Sequence, residues 1–243
     1  MLFFYCTFAA DYKIVNMSIF KSVPVLYGPP PIDFDRKFIA DRPNIVLDLG
    51  GVLMQHDREG CLRAFRQFMS DQDIDQVLGL GNDKPCSLRV LFEKGQLTQQ
   101  AFIDSVLKHC KPGTTERQII DAWNTIHAGI PDEVWMKIKL LRNSPKAYRL
   151  HLFSNTDQIH WEHVQSLYGD KIKEYFNEVY LSFQYGKMKP DKMFFKQVDY
   201  EMCADPKQTY FVDDTETNRL AAEKSVGWQT CANLTELFKI LKK

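Results

Sequence analysis

Length, composition and charge describe an ordinary globular chain and exclude several classes of partner. The 243 residues include 31 basic and 31 acidic side chains, so the formal net charge at neutral pH is zero. A balanced charge argues against a nucleic acid or an anionic membrane as the partner, because both select strongly basic proteins. The apolar and charged fractions, 44% and 26%, fit one large domain or a core domain with a smaller insertion. We therefore expect a small-molecule partner.

The cysteines and the first residues bear on the compartment. Six cysteines are scattered without a C-x-x-C pair, which favours reduced thiols over disulfides or zinc and predicts a cytoplasmic protein. The apolar run within residues 1–20 lacks a basic segment before it and is far shorter than the ~20 residues of a membrane span. A translation start at Met17, with an upstream tail before it, is an alternative explanation of the run. Residues 1–43 are interpreted as an N-terminal extension with a proline-rich, irregular end.

After this extension, short β-branched runs alternate with longer amphipathic stretches. That alternation is typical of a parallel sheet covered by helices and predicts an α/β fold. Between the later runs, apolar side chains recur at helical spacing. The predicted strands are residues 44–49 (NIVLDL), 148–154 (YRLHLFS), 178–182 (EVYLS), 209–214 (TYFVDD) and 228–232 (WQTCA).

The connection between the first two predicted strands is much longer than the others. Nearly a hundred residues separate these strands, and helical periodicity runs through them. A connection of this length usually carries function. We expect residues 57–144 to form a helical insert over the end of the first strand, and residues 44–56 with 145–243 to form the α/β core. The helices predicted in the insert are 58–69, 97–110, 115–127 and 131–143, with start signals at Thr98 and Pro131.

Polar side chains stand where three of the predicted strands end. Asp48 ends the first strand, Ser154 and Asn155 follow the second, and the pair Asp213 and Asp214 ends the fourth. The carboxyl ends of parallel strands lie at one edge of the sheet, and ligands bind there at the point where strand order reverses. We therefore expect these side chains to share one pocket.

Two lysines are expected to join this pocket. Lys187 and Lys189 lie between the third and fourth strands, just before a predicted helix whose first turn holds Pro190 and Asp191. Clustered aspartates repel one another unless a cation neutralises them, and oxygen-only ligands favour Mg²⁺. A serine hydroxyl, backbone N–H groups and a lysine ammonium suit the oxygens of a phosphate. The residues thus predict a Mg²⁺ and phosphate site in which Asp48 is the nucleophile.

The order of the motifs carries a family resemblance. D-L-G-G-V at 48–52, S-N-T at 154–156, K-x-K-P-D at 187–191 and V-D-D-x-x-x-N at 212–218 follow one another on a β/α framework. This order resembles the haloacid dehalogenase (HAD) superfamily of hydrolases, and more narrowly its bacterial sugar-phosphate phosphatases with a D-L-G-(G/N)-V motif. The resemblance implies a doubly wound, Rossmann-like core with an inserted helical cap that selects the substrate. It also implies Mg²⁺-dependent hydrolysis of a small phosphate ester, such as a sugar phosphate, through an aspartyl-phosphate.

The resemblance places the metal ligands. Asp48 matches the nucleophile, which is also a metal ligand, and Gly50 matches the position whose backbone carbonyl binds Mg²⁺. Asp214 best matches the direct metal ligand of the acid pair. Asp213 matches a partner that acts directly or through metal-bound water, and Asn218 braces the loop.

The resemblance also places the groups that hold the phosphoryl oxygens. Ser154 matches the phosphate-binding hydroxyl, and Asn155 matches a neighbour that helps through its backbone or its side chain. Lys189 matches the catalytic lysine that steadies the nucleophile and the phosphoryl charge, because it directly precedes the P-D pair. Lys187 is the second choice for this role.

The first motif departs from the pattern of most superfamily phosphatases. They carry a second aspartate two positions after the nucleophile, which protonates the leaving group, whereas this chain has Gly50. General acid–base catalysis is typically worth about 10²–10⁴ in rate, so a preference for good leaving groups is expected, as in sugar 1-phosphates, acyl phosphates or aryl phosphates. His56 and Asp57 are the nearest replacements in sequence.

Two other functions stay open at this point. A metal-independent dehalogenase would use Asp48 against a carbon–halogen bond, but the acid pair argues against it because that chemistry needs no Mg²⁺. A catalytically weak binding or regulatory module with the same fold is the second, and Gly50 favours it because the proton donor is missing. Asp48 and Ser154 alone would also suit turn or capping roles, and Lys187 a solvated surface charge.

Overall fold

The computed structural model describes residues 42–80 and 86–242, which belong to one compact unit, Phe34–Lys243. Almost all of the predicted N-terminal extension, with the alternative start at Met17, lies outside the described residues. No helix in the described ranges combines the length and the apolar character that crossing a bilayer requires. The described cysteines are all free, as the sequence predicts: Cys61, Cys86, Cys110, Cys203 and Cys231.

A parallel sheet forms the centre of the molecule, and the predicted α/β architecture is confirmed. Its order is β3-β2-β1-β4-β5, so β1 is central and the chain returns to its other side after β3. The predicted strands extend one or two residues too far, because the polar residues that follow β1 and β4 already belong to loops. The strands are β1 (Asn44–Leu47), β2 (Arg149–Ser154), β3 (Glu178–Leu181), β4 (Thr209–Val212) and β5 (Gln229–Cys231).

The connection between β1 and β2 contains the four predicted helices and two further short ones. Thr98 accepts a bond from the Ala101 N–H at 3.2 Å and caps one helix as predicted, and Thr115 forms a capping box at the start of another. The helices are α1 (Arg58–Phe65), α2 (Asp71–Asp73, continued by a π turn over Ile74–Leu78), α3 (Ser87–Glu93), α4 (Gln99–Leu107), α5 (Glu116–Asn124) and α6 (Asp132–Arg142).

The helices of this connection belong to two different cores. Aromatic side chains of α1 and α3–α5 form an insert core, in which the rings of Phe92 and Phe102 stack at 4.3 Å and Phe102 lies 5.3 Å from Trp123. The buried face of α6, which the sequence analysis assigns to the insert, instead packs with the sheet through Trp135 and Ile138. We therefore propose that the insert ends before α6, near residue 130.

Helices cover both faces of the sheet. One face packs with α6 and with α7 and α11, and the other face packs with α9 and α10. Aspartate and asparagine side chains cap several of these helices, since a short polar side chain satisfies the free N–H groups of a first turn. The elements after β2 are α7 (Gln158–Tyr175), α8 (Ser182–Tyr185), α9 (Lys192–Met202), α10 (Glu216–Val226) and α11 (Leu234–Leu241).

A buried polar cluster joins the insert to the core. Asp157, fully buried at the start of α7, accepts bonds from the indole N–H of Trp123 at 3.0 Å and from the His160 backbone N–H at 3.0 Å. The His160 Nδ1 atom lies 2.9 Å from the same carboxylate, and the imidazole stacks on the Trp123 ring at 4.8 Å. The insert is thus tied to the sheet domain by specific, desolvated contacts rather than by chain connectivity alone.

A second buried histidine, His151, is expected to make the folding stability depend on pH. The His151 Nε2–H donates to Asn44 Oδ1 at 3.0 Å between β2 and β1, and burial lowers the pKa of His151 to about 3. The unfolded chain takes up a proton below about pH 6.5, whereas the folded chain does not, so folding loses stability as the pH falls below that value. Between pH 7.5 and 5.5 this histidine should cost about 1.4 kcal/mol.

Urea unfolding of the wild type and of His151→Gln at these two pH values tests this expectation. Glutamine keeps an N–H donor for Asn44 but does not titrate, so the variant should lose about 1.4 kcal/mol less than the wild type on acidification. The exposed His109 is the control, because His109→Gln should not reduce the loss. An equal loss in wild type and His151→Gln would contradict the assignment.

Candidate active site

Asp48 occupies the centre of the carboxyl edge of the sheet. Its backbone N–H donates to the Val212 carbonyl at 2.9 Å, which continues the β1–β4 ladder by one step before the chain turns away. The residue is only 9% exposed, and its Oδ1 atom accepts a bond from the Leu49 N–H at 2.7 Å. The carboxylate is therefore held rigidly next to the end of β4, as the motif positions predict.

Lys189 supplies the positive charge that meets Asp48. Its ammonium lies 3.0 Å from Asp48 Oδ1 and 2.6 Å from Asp213 Oδ2, and it also donates to the Phe153 carbonyl at 2.9 Å. The side chain is buried between the rings of Phe153 and Phe211, whose centroids lie 5.2 and 5.5 Å from Nζ. Because every donor direction of the ammonium is used within the site, Lys189 is a fixed charge.

Asn155 positions this lysine. The amide group of Asn155 donates to the Lys189 carbonyl at 2.8 Å and accepts from the Lys189 N–H at 2.8 Å. The side-chain amide is thus engaged by the lysine loop, which leaves the Asn155 backbone as its route to a phosphate. No local feature of the sequence indicates this pairing, since the two residues lie on different loops.

The second lysine and the following helix differ from the sequence expectation. Lys187 points to Gln197, whose Oε1 accepts from its ammonium at 3.1 Å, so the aspartates are met by Lys189 and not by Lys187. The helix α9 begins at Lys192, so Pro190 and Asp191 precede it rather than forming its first turn. The reason is that the Asp191 side chain accepts from the Met193 N–H at 2.8 Å and acts as the N-cap.

The two members of the acid pair have different environments. Asp213 is fully buried and accepts from both Lys189 and the Asn218 amide, whose Nδ2 lies 3.1 Å from each carboxylate oxygen. Asp214 is exposed and lies at the mouth of the site. Asn218 therefore contacts Asp213, whereas the carboxylate of Asp214 faces the solvent.

The electrostatics of the cluster favour an added cation. Burial raises the pKa of Asp48 to about 7, while the charge of Lys189 lowers it and that of Asp213 raises it. Burial lowers the pKa of Lys189, but Asp48 and Asp213 outweigh it and the pKa is raised. Three carboxylates against one ammonium leave excess negative charge, which a divalent cation would neutralise.

The donor set of the cluster fits Mg²⁺. One oxygen each from Asp48, Asp213 and Asp214 can be chosen so that all lie within 4.8 Å of one another, and this is the only such group of potential ligands in residues 42–80 and 86–242. Oxygen donors without sulfur or imidazole suit Mg²⁺, which keeps part of its water shell. The carbonyl of Gly50, two residues after Asp48, is a further oxygen of the predicted set.

The two glycines after Asp48 lie close to side chains on either side of the loop. Gly51 has φ 75°, and a Cβ on it would collide with the Asp214 carboxylate. A Cβ on Gly50 would collide with the imidazole of His56, at the Cε1 and Nε2 atoms. Burial lowers the pKa of His56, and the nearby Asp214 acts in the opposite direction. The loop thus lies between His56 and Asp214. The positive φ of Gly51 favours glycine there, whereas a side chain at position 50 would require the exposed His56 ring to move.

Ser154 ends β2 beside the cluster. It is 2% exposed, and its hydroxyl donates to the Asn155 carbonyl at 3.3 Å, a long bond that a better acceptor would replace. A second serine lies behind it, since Ser182 bonds the backbone N–H and carbonyl of Thr156, each at 2.9 Å. Ser182 supports the turn after β2, a contribution that no motif of the sequence indicates.

Known proteins resemble this chain in sequence and in fold. No protein-family model matches the chain. The chain is 28% identical over 195 residues to the D-ribitol-5-phosphate phosphatase of Bacteroides thetaiotaomicron, covering 77% of this chain and 89% of the relative. A HAD family enzyme of the same organism, solved in complex with magnesium and inorganic phosphate, is 31% identical with a TM-score of 0.66, over 79% of this chain and 93% of that enzyme.

A second solved structure is similar over its whole length. It is a predicted HAD-like family hydrolase from Porphyromonas gingivalis, with a TM-score of 0.70 and 28% identity. The similarity covers 84% of this chain and 100% of that one.

Proposed function

We propose, on the premise that this chain belongs to the HAD family of enzymes, that Asp48 attacks the phosphorus of a small sugar or polyol phosphate. The chain is a HAD-like phosphoric monoester hydrolase with Mg²⁺ as its cofactor. The relative that acts on D-ribitol 5-phosphate supports a substrate of similar size and polarity. The free cysteines fit the cytoplasm, where such metabolites occur.

The contact between Asp48 and Lys189 carries this proposal. A buried carboxylate 3.0 Å from an ammonium, next to two further aspartates, is an arrangement that stability alone does not favour, because desolvating these charges is costly. Binding of a phosphoryl group and a divalent cation would account for this cluster of charges. Asp48 is then held in the ionised form that a nucleophile needs.

Hydrolysis of the ester would proceed in two displacement steps, in which the site residues have different roles. The Asp48 carboxylate attacks phosphorus in line with the leaving oxygen, and the ester P–O bond breaks to form an aspartyl-phosphate. Lys189 steadies the Asp48 carboxylate and the phosphoryl charge, Ser154 holds a phosphoryl oxygen, and Asp213 keeps the lysine in place. Water then attacks the phosphorus, and the Asp48 carboxylate is released together with inorganic phosphate. Mg²⁺, held by Asp48, Asp214 and the Gly50 carbonyl with Asp213 beside it, would neutralise the phosphoryl charge.

The insert is the proposed source of substrate selection. It follows Asp48 directly in the chain, and the Trp123–Asp157–His160 cluster ties it to the core beside the turn after β2. An insert in this position would exclude bulk water from the phosphoryl group and limit the size of the substrate.

Turnover of phosphate esters with and without Mg²⁺ tests the function. The full chain should hydrolyse members of a panel that contains sugar 1-phosphates, their 6-phosphate isomers, polyol phosphates and an aryl phosphate. A chelator should abolish this turnover, and added Mg²⁺ should restore it, because the carboxylates of the site repel the substrate when no cation is bound.

The same experiment separates the alternatives. A hydrolase that a chelator does not affect would contradict the Mg²⁺ site and favour a metal-independent reaction. Binding of Mg²⁺ and phosphate without turnover of any ester would instead favour a regulatory module. Asp48→Asn purified in the same way is the control for contaminating phosphatase activity, and heat-denatured protein is the control for spontaneous hydrolysis.

A further inference from the structure

Arg219, in the first turn of α10, bonds to the main chain of the acid pair. Its Nη1 atom donates to the Asp213 carbonyl and to the Asp214 carbonyl, each at 2.7 Å. The Arg219 N–H donates to the Thr215 carbonyl at 3.2 Å, so the helix holds the base of the side chain. One guanidinium nitrogen thus fixes two successive peptide groups in the loop that leads from β4 to α10.

These two peptide groups flank the α-carbon of Asp214. The Asp213 carbonyl belongs to the peptide group before this α-carbon, and the Asp214 carbonyl belongs to the one after it. Both bonds end on carbonyl oxygens, whereas an arginine that paired with the carboxylate would compete with a cation for its oxygens. Arg219 therefore holds the backbone of Asp214 and leaves the side chain to other partners.

The carboxylate of Asp213 already has a full set of partners. Its Oδ2 atom accepts from Lys189 at 2.6 Å and from Asn218 at 3.1 Å. Its Oδ1 atom accepts from the Thr215 N–H at 2.9 Å and from Asn218 at 3.1 Å. An ionised carboxylate offers about four acceptor sites, so those of Asp213 are filled. The exposed Asp214 carboxylate accepts from the Thr215 hydroxyl at the long distance of 3.3 Å, and it can offer oxygens to a cation.

The position of the Asp214 carboxylate depends on its backbone. This group lies against Gly51 in the loop after the nucleophile, so closely that a Cβ on Gly51 would collide with it. One of its oxygens lies within 4.8 Å of an oxygen of Asp48. Aspartate is a short side chain with few torsions, so a rotation of the flanking peptide groups would carry the carboxylate away from Asp48.

We propose that Arg219 is a positioning residue of the Mg²⁺ site, which holds the peptide groups on both sides of Asp214 and so directs its carboxylate to the metal. This inference rests on the proposed function, in which Asp48 and Asp214 hold Mg²⁺. Arg219 acts through Asp214 and not on the substrate. Groups that hold a metal ligand in place typically contribute about 10–100-fold to metal affinity or activity.

The charge of Arg219 predicts an effect of the opposite sign. A guanidinium beside the acid pair repels a cation, so the removal of this charge alone would tighten Mg²⁺ binding. Arg219 is only half-buried, and solvent and salt screen the repulsion. We therefore expect the loss of positioning to exceed the gain from lost repulsion. The sign of the change in Mg²⁺ affinity separates the two effects.

Binding of Mg²⁺ alone tests this role without turnover. The rise in the free energy of unfolding of the full chain with Mg²⁺ concentration gives the Kd. Arg219→Met keeps a long side chain but donates no bond, so the Kd should rise by about 10–100-fold. Arg219→Lys keeps a donor that can reach a carbonyl, and its Kd should lie between those of the wild type and Arg219→Met.

Two controls define the site and the charge. Lys224 is an exposed cation in the last turn of the same helix, and Lys224→Met should leave the Kd unchanged. Asp214→Asn should remove most of the stabilisation by Mg²⁺, because it removes the carboxylate that Arg219 is proposed to direct. A folded Arg219→Met that binds Mg²⁺ as tightly as the wild type, or more tightly, would overturn the proposal. If this variant does not fold, an unchanged Kd in Arg219→Lys would overturn it.

Kinetics distinguish positioning from a general structural role. In Arg219→Met, the Mg²⁺ concentration that gives the half-maximal rate should rise by about 10–100-fold, whereas kcat at saturating Mg²⁺ should stay within about fivefold of the wild type. A loss of kcat that saturating Mg²⁺ does not restore would contradict a role confined to the metal ligand. A wild type that binds Mg²⁺ but hydrolyses no ester would contradict the proposed function, while the Kd values would still decide the role of Arg219.

Discussion

Asp48→Asn should abolish turnover of every phosphate ester, with kcat lowered by about 10⁴–10⁶. The amide has the shape of the carboxylate but cannot form the aspartyl-phosphate. Its oxygen can still accept the bond from the Leu49 N–H, and Lys189 retains Asp213 as its partner, so the fold should persist. Steady-state kinetics with saturating Mg²⁺ and a melting curve measure the two effects separately.

Direct detection of the intermediate makes the test sharper. Acid quenching of the wild type during turnover of an ester labelled in its phosphoryl group should leave the label on the protein. Asp48→Asn should retain no label. The exposed Asp104, which accepts a bond from Gln100 on the insert, is the matched control. Asp104→Asn should keep full activity and full labelling. Appreciable turnover by Asp48→Asn would exclude Asp48 as the nucleophile.

Lys189→Met should damage both activity and stability. Methionine fills a similar volume between Phe153 and Phe211 but leaves the carboxylates of Asp48 and Asp213 without their shared cation. Removing one member of a buried ion cluster typically costs about 3–5 kcal/mol, because the remaining charges stay desolvated. Urea unfolding without metal should show this loss, and kcat with Mg²⁺ should fall as well.

Two comparisons isolate the charge from the packing. Lys187→Met removes a lysine two positions away whose ammonium donates to Gln197, and it should cost less than about 1 kcal/mol. Asp213→Asn in the Lys189→Met background removes one of the orphaned charges and should recover part of the lost stability. Added Mg²⁺ should also recover part of it by binding the folded state. Equal stability losses for both lysine variants would contradict the buried cluster.

Several features of this protein follow from its sequence alone. The β-branched runs identify the sheet, and the helical periodicity between β1 and β2 identifies the insert, because both depend on local backbone geometry. The order of the motifs places Asp48, Ser154, Lys189 and the acid pair at one edge, since parallel strands share the direction of their carboxyl ends. The two short helices α2 and α3 carry weaker periodic signals and depend on packing in the insert core.

Other features depend on contacts between distant segments. Strand order decides that β4, and not β3, lies beside β1, and so brings Asp213 to Lys189 and Asp48. The sequence shows two adjacent aspartates, but only packing buries one and exposes the other. The pairing of Asn155 with the Lys189 backbone is likewise a contact between loops.

The first motif shows the division most clearly. The sequence by itself shows that position 50, two residues after Asp48, is a glycine without a side chain. It indicates His56 and Asp57 as replacements for the missing acid only because they are close in sequence. In the tertiary structure, the Asp57 side chain caps a helix. Residues 55–57 pair with the distant segment 126–129, and this pairing places the His56 imidazole against Gly50. Periodicity and motifs are local properties of a chain, whereas the position of a side chain in a site is decided by long-range pairing and excluded volume.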